Sequence, residues 1–296
     1  MQEQLIPIRT LAELTGVNSV TLRAWERRYG LIKPKRTHSG HRLYDSNDVA
    51  QIQKILSWLA KGIAVSQVKR LLDQEPKNST SLPISNVWEQ YQQQMCHSIG
   101  AFNLKALDSI YNEALSLYPI DIITERLLLP LLEQLAERWI TDSPENRAEE
   151  NFFAGFMRNK LGARFHHATL NNDGPTLICA SLAGELHEFS AMLFALYLLA
   201  HGYQVVFLGS NIPIASLAYA TKKTQACAIV LTSPIKNSII ESLIQLQSDI
   251  AKPIFIKNNR TQIADVLESA TNLITLKANF YFALKQIKEK IKFKFK

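Results

Sequence analysis

The chain is poor in cysteine. Cys96, Cys179 and Cys227 are its only three, far apart and in apolar or helical surroundings, which excludes a disulfide framework and a zinc-ligand spacing and reads as buried thiols. Long apolar runs are also missing: none approaches the roughly 20 residues that span a bilayer. The opening MQEQLIPIRT lacks the basic-then-apolar order of a signal peptide. The expectation is a cytoplasmic protein with no membrane partner. Apolar residues themselves are not scarce, at 47% of 296 residues, enough to build the packed cores of two or three domains.

Charge is unevenly spread. Residues 1–72 hold 12 Lys and Arg against 5 Asp and Glu, whereas residues 73–284 hold 15 against 20. The last twelve residues, KQIKEKIKFKFK, hold 6 against 1, which reads as a solvated helix end. A basic head of domain size on an acidic body points to a nucleic-acid-binding module joined to something else.

The head is helical with short loops. LAELTG (11–16) is an apolar-patterned helix broken at Gly16, and Asn18 or Ser19 caps a second helix, SVTLRAWERRYG, that closes at Gly30. Two short helices around a glycine-containing turn make a helix-turn-helix. Helical spacing turns Leu22 and Trp25 toward the core and leaves Ser19, Thr21, Arg23, Ala24, Arg27 and Arg28 facing outward. Arginine forks at such positions suit guanine edges or phosphates, and a small alanine permits close approach to a major groove. After Pro34, KRTHSGHRLYDSNDV turns at Ser39-Gly40 and reads as a basic β-hairpin, a wing. Its Arg36, His38, Arg42 and Tyr44 are placed to reach DNA beside the helix. Asp45, Ser46 and Asn47 then cap a further helix, and GIAVSQVKRLL supplies the last one before Leu72.

Over roughly residues 5–72, TLRAWERRYGLIKPKRTHSGHRLYDSNDV resembles the winged helix-turn-helix of the MerR transcription-regulator family in residue type and spacing. The resemblance implies a homodimer on an inverted-repeat promoter site, with a second half-site reinforcing a weak single head.

Residues 73–86, DQEPKNSTSLPISN, are rich in Pro, Ser, Asn and charge and read as a linker. From 87 to 170 the pattern is that of four amphipathic helices, a helical bundle with Pro119 and Pro144 near helix starts and Pro130 kinking the third helix. At about 173 the period changes. Strands DGPTLICASL, YQVVFLG, ACAIVLTS, KPIFIK and NLITL alternate with helices, one starting at 261 and the last near 277. Residues 171–296 are thus expected to form an α/β doubly wound, Rossmann-like parallel sheet, whose ligands bind at the carboxyl ends of the strands. The fold class is multidomain: winged head, four-helix bundle, doubly wound sheet.

GELHEFS (184–190) lies in the first strand-to-helix turn of that sheet. An imidazole there is able to coordinate a metal while a carboxylate orients its other nitrogen, and it is equally able to be an ordinary surface histidine. The order of head, helical bundle and Rossmann-like domain opening with Glu-x-His resembles the light-responsive CarH/LitR regulators over nearly the whole chain. That resemblance implies adenosylcobalamin, with His187 as the lower axial cobalt ligand, Glu185 beside it, Ser233 near the end of the third strand, and Trp139 and Glu149 of the bundle capping the adenosyl face. The family pattern is met only in part. Ser190 replaces a glycine, Glu150 stands in place of a histidine, and Asn258-Asn259 replaces a Gly-Gly pair that lets the nucleotide tail approach the backbone. A β-carbon there fills space that glycine leaves open.

Two functions compete with a corrinoid-sensing regulator. One is a regulator whose last domain has lost cobalamin and senses another small molecule or a protein partner, since an apolar pocket needs no signature motif. The other is a corrinoid methyltransferase module, against which stand the DNA-binding head and the absence of a substrate domain. A metal- or thiol-sensing role needs clustered cysteines behind the head, and the chain has none. An enzyme is not expected. The sequence leaves dimer against tetramer open.

Overall fold

The computed structural model describes residues 5–73, 87–169, 173–182, 185–232, 237–257 and 272–291, with the side chains of 167–169, 185–187 and 237 outside that description. The chain divides into two compact units, residues 1–138 and 139–296. The division falls inside the stretch 87–170, so the first three bundle helices belong to one unit and the fourth to the other.

In the first unit, α1 (Ile8–Thr15) ends where Gly16, at φ +71°, donates its N–H to the carbonyl of Ala12. Only glycine takes that left-handed cap without strain. Asn18 Oδ1 then accepts the Val20 N–H at 2.8 Å and starts α2 (Ser19–Ala24), which continues as a π-turn over Trp25–Tyr29 and stops at Gly30, φ +59°. The wing is formed by β2 (Lys35–Arg36) and β3 (Arg42–Tyr44), with Arg36 opposite Arg42. An unanticipated short strand, β1 (Ile6–Pro7), pairs antiparallel with the other edge of β3. Asp45 and Asp48 cap α3 (Ser46–Ala60) reciprocally, each carboxylate accepting from the other's backbone N–H, the capping-box arrangement. Helix α4 (Val65–Asp73) closes the head. Leu11, Leu22, Trp25, Ile52, Ile55 and Val68 are fully buried in it, each contributing about 1.5–3 kcal/mol by burial.

Helices α5 (Val87–Gly100) and α6 (Leu104–Leu117) pack antiparallel in sequence order, followed by α7 (Ile120–Ile123), a π-turn over Thr124–Leu128, and α8 (Leu129–Arg138). The interruption expected at Pro130 takes the form of that π-turn. Pro130 has no N–H for the carbonyl of Arg126, which instead accepts from Gln92 Nε2 at 3.1 Å. Head and helices are joined at α6: the Trp25 indole donates to the Leu117 carbonyl at 2.8 Å, Tyr118 Oη accepts from the Val65 N–H at 3.3 Å, and the Trp88 ring lies 4.5 Å from that of Tyr118.

In the second unit α9 (Pro144–Thr169) precedes a five-stranded parallel sheet of order β5-β4-β6-β7-β8. The strands are β4 (Thr176–Ala180), β5 (Gln204–Gly209), β6 (Ala228–Leu231), β7 (Ile254–Lys257) and β8 (Leu273–Leu276). The helices are α10 (Glu185–Ala200), α11 (Ile214–Thr224), α12 (Ile240–Ile250) and α13 (Phe280–Ile291). Residues alternate across the sheet as the pleat requires. Ile178, Ile229, Leu231, Ile254 and Ile256 join Leu217, Leu243 and Leu246 of α11 and α12 in one core. Helices α10 and α13 pack against each other elsewhere in the unit. The doubly wound sheet is as expected, and the helix expected from 261 lies outside the described residues. Among the described residues no helix is long and apolar enough to cross a membrane.

Candidate functional site

Helix α2 and the π-turn that continues it present Arg23, Arg27 and Arg28 to solvent, with Val20 56% exposed and Ser19 half-buried. Arg27 Nε reaches back to the Arg23 carbonyl at 3.4 Å. Two residues expected on this outward face are not on it: Thr21 is 1% exposed and Ala24 6%. The reason is the second partner of α2. It is contacted by α1 and also by α6, so its buried arc is wider than the single stripe of a helix packed on one side.

The wing stands beside this face and is fastened to it. Glu26, within the π-turn, accepts from Arg42 Nε at 2.5 Å and from Arg36 at 2.9 Å. Burial alone raises the Glu26 carboxyl; the hydrogen bonds and charges of Arg42 and Arg36 outweigh it and hold the group below its ordinary value of 4.5. Arg36 stays half-exposed, while Arg42 keeps 24% of its side chain open. His38 is exposed at the wing tip, where Thr37 Oγ1 accepts from the His41 N–H at 3.0 Å. Tyr44 corrects the expectation of a phosphate contact. It is 0% exposed, its hydroxyl has no hydrogen-bond partner, and burial first, then the Glu26 charge, pushes it up to about 12. Packed behind the wing, Tyr44 is a core residue. Glu26 was not among the expected site residues, although a lone acid between Arg23 and Arg27-Arg28 is a signal that the sequence carries.

In the second unit, Trp139 Nε1 donates to Glu149 Oε2 at 2.9 Å, with the two residues 8% and 9% exposed. The Trp139 ring lies 6.2 Å from Phe153, which meets Phe189 of α10 edge-on at 6.5 Å. Glu185 and His187 occupy the first turn of α10, but their side chains fall outside the described residues, as do Ser233, Asn258 and Asn259 entirely. Arg158 of α9 pairs with Glu188 of α10 at 3.5 Å. Ser190, where the family pattern has glycine, is half-buried in α10. No group of three or more His, Cys, Asp or Glu among the described residues is arranged to hold a metal ion.

At the carboxyl end of β7 stands a group that sequence reading missed. Lys257 is 9% exposed; its ammonium donates to the Ala278 carbonyl at 2.5 Å and lies over the rings of Phe280 (4.7 Å) and Phe194 (5.6 Å). Carbonyl and ring faces together offset the desolvation of the charge. Thr232, directly after β6, is buried with a hydroxyl that has no hydrogen-bond partner. Of the thiols, Cys179 is buried while Cys96 and Cys227 are half-buried, and none forms a disulfide.

Residues 6–75 match the family described as MerR HTH family regulatory protein. The chain is 38% identical over 131 residues to the HTH-type transcriptional regulator MlrA of Escherichia coli (strain K12), a match covering 44% of this chain and 52% of that one. It therefore spans about half the length of that relative. With the HTH-type transcriptional repressor CarH of Myxococcus xanthus the identity is 29% over 231 residues, 74% of this chain and 76% of the relative. Among solved structures, the monomethylamine corrinoid protein of Methanosarcina barkeri superposes with a TM-score of 0.52 at 16% identity, covering 69% of this chain and 99% of the other. At that identity the likeness is one of fold. Residues 6–75 are a MerR-family helix-turn-helix domain, the chain is a homologue of the CarH and CarA regulators, and its fold is like that of the corrinoid protein.

Proposed function

We propose that the chain is a transcriptional regulator, not an enzyme, that binds double-stranded promoter DNA in the cytoplasm as a homodimer or homotetramer. The observation that carries this reading is the exposed ridge of Arg23, Arg27 and Arg28 on a capped helix, flanked by a wing bearing Arg36 and Arg42. The ridge suits a major groove, where an arginine fork discriminates guanine by about 1–3 kcal/mol. The wing arginines and His38 suit the neighbouring phosphates. Twofold pairing of heads gives two half-sites and the affinity that one short helix lacks.

The second unit is the sensory part in this reading. Adenosylcobalamin is the ligand that the resemblance brings, with Glu185, His187, Ser233, Trp139 and Glu149 as its contacts. The fold supports it; the buried Trp139 and Glu149 side chains bond each other. The filled space around Lys257 does not fit the cofactor's nucleotide tail, so no step of the regulation is routed through cobalt.

The test is fluorescence anisotropy of the full chain on labelled duplex from its own upstream region, against random duplex at moderate salt. Specific binding at least ten-fold tighter is expected. Equal affinity for both duplexes overturns the proposal, because a nonspecific phosphate contribution alone explains it.

A further inference from the structure

We infer that the second unit is closed by its own side chains: Lys257, Phe194 and Phe280 fill the layer between the sheet and helices α10 and α13, so the unit takes up no tail-bearing corrinoid. This stands whether or not α2 reads a promoter, since it concerns the second unit alone.

Ile254 and Ile256 belong to the core formed with α11 and α12. Phe255 and Lys257 therefore point to the opposite face, and the Lys257 ammonium lies there over Phe194 of α10 and Phe280 of α13. The resemblance implies that a corrinoid would be held by His187 in the first turn of α10, with its nucleotide tail beside the positions after β7, and such a tail would have to enter this layer. A flat aromatic base needs about 7 Å between flanking surfaces, twice the 3.5 Å contact separation. No such gap separates the rings of the two helices: Phe194 meets Phe280 edge-on with centroids 4.8 Å apart, and Tyr197 meets Phe280 at 5.3 Å. Phe194 is 0% exposed and Phe280 1%.

The ammonium also makes the filling stable against displacement. It donates to the Ala278 carbonyl at 2.5 Å, directly before α13, tying β7 to the entrance of that helix. A base entering the layer would have to break this bond and leave a buried cation with fewer partners, which costs more than an apolar exchange. At the other end of α10, Phe153 of α9 packs on Phe189, and Trp139 and Glu149 satisfy each other.

The experiment has two readouts on the full-length protein. Purified in the dark with excess hydroxocobalamin and desalted, it is expected to retain less than about a tenth of an equivalent, while still binding duplex DNA. Under limited acetylation followed by peptide mass spectrometry, Lys257 is expected to react at least about ten-fold more slowly than exposed Lys222, Lys223 and Lys252. Retention of one corrinoid per chain overturns the inference. So does acetylation of Lys257 at the rate of the exposed lysines in folded, DNA-binding protein, because the layer is then open.

Discussion

Arg42 Nε donates to Glu26 Oε2 across 2.5 Å, fastening the wing to the helix that carries Arg23 and Arg27. Helix and wing are thereby presented as one surface, and the acid in a basic segment is a spacer that keeps two arginines at fixed positions. Glu26→Gln removes the charge and one of the two acceptor oxygens, leaving one guanidinium short of a partner. It is expected to lower unfolding free energy by about 1–3 kcal/mol, read from the urea midpoint at unchanged slope. The pH dependence has a definite sign. Because the folded carboxyl sits below its ordinary value of 4.5, the stabilisation is complete above 4.5 and disappears as pH falls through the depressed folded value. Wild type and Glu26→Gln should therefore converge in stability at acid pH. A gap that persists in acid would assign the loss to packing.

The exposed arginines make separable predictions. Arg23→Ala or Arg27→Ala at a base edge should cost about 1–3 kcal/mol in specific binding and leave binding to random duplex little changed. Arg36→Ala, at the backbone, should weaken both and reduce the salt slope by about one. Anisotropy titrations over a salt series distinguish these outcomes. An Arg23 variant that lost both kinds of binding equally would move that residue from base reading to phosphate contact.

Trp25 and Leu117 link the head to α6 by an indole hydrogen bond of 2.8 Å. Trp25→Phe keeps an aromatic ring but strands the Leu117 carbonyl, and is expected to cost about 1–3 kcal/mol. Deletion of the donor should also raise amide exchange in α2 and α6 together, since the two helices share that contact. Exchange rising in α2 alone would mean that the carbonyl is readily satisfied by water.

Much of this architecture is legible in local chemistry. Gly16, Asn18 and Asp45 mark the helix boundaries of the head because caps act within a few residues. The change from helical period to alternating strands after 173 marks the sheet. What is not legible depends on partners distant in sequence. Thr21 and Ala24 read as outward, but they are buried in a helix that both α1 and α6 contact. Lys257 reads only as part of the strand KPIFIK, and its burial depends on Phe194 and Phe280, which only the fold brings together. Tyr44 sits in a basic ribbon and reads as one of its DNA-facing residues, whereas the alternation of β3 against β1 and β2 turns it inward.

Tyr44→Phe tests that last distinction directly. If the hydroxyl bonded a phosphate, its removal would weaken DNA binding by about 1 kcal/mol or more, as loss of a hydrogen bond to a charged group does. In the structure the hydroxyl is buried without a partner and the side chain is 0% exposed. Removing an unsatisfied buried oxygen while keeping the ring costs no hydrogen bond and relieves a desolvated polar group. The expected result is unchanged DNA affinity with stability equal to wild type or up to about 1 kcal/mol higher. Tyr44→Ala, by contrast, empties a core site and should cost about 3–5 kcal/mol, as large aromatic truncations do. Affinity falling in Tyr44→Phe at full stability would return the hydroxyl to the DNA-binding face.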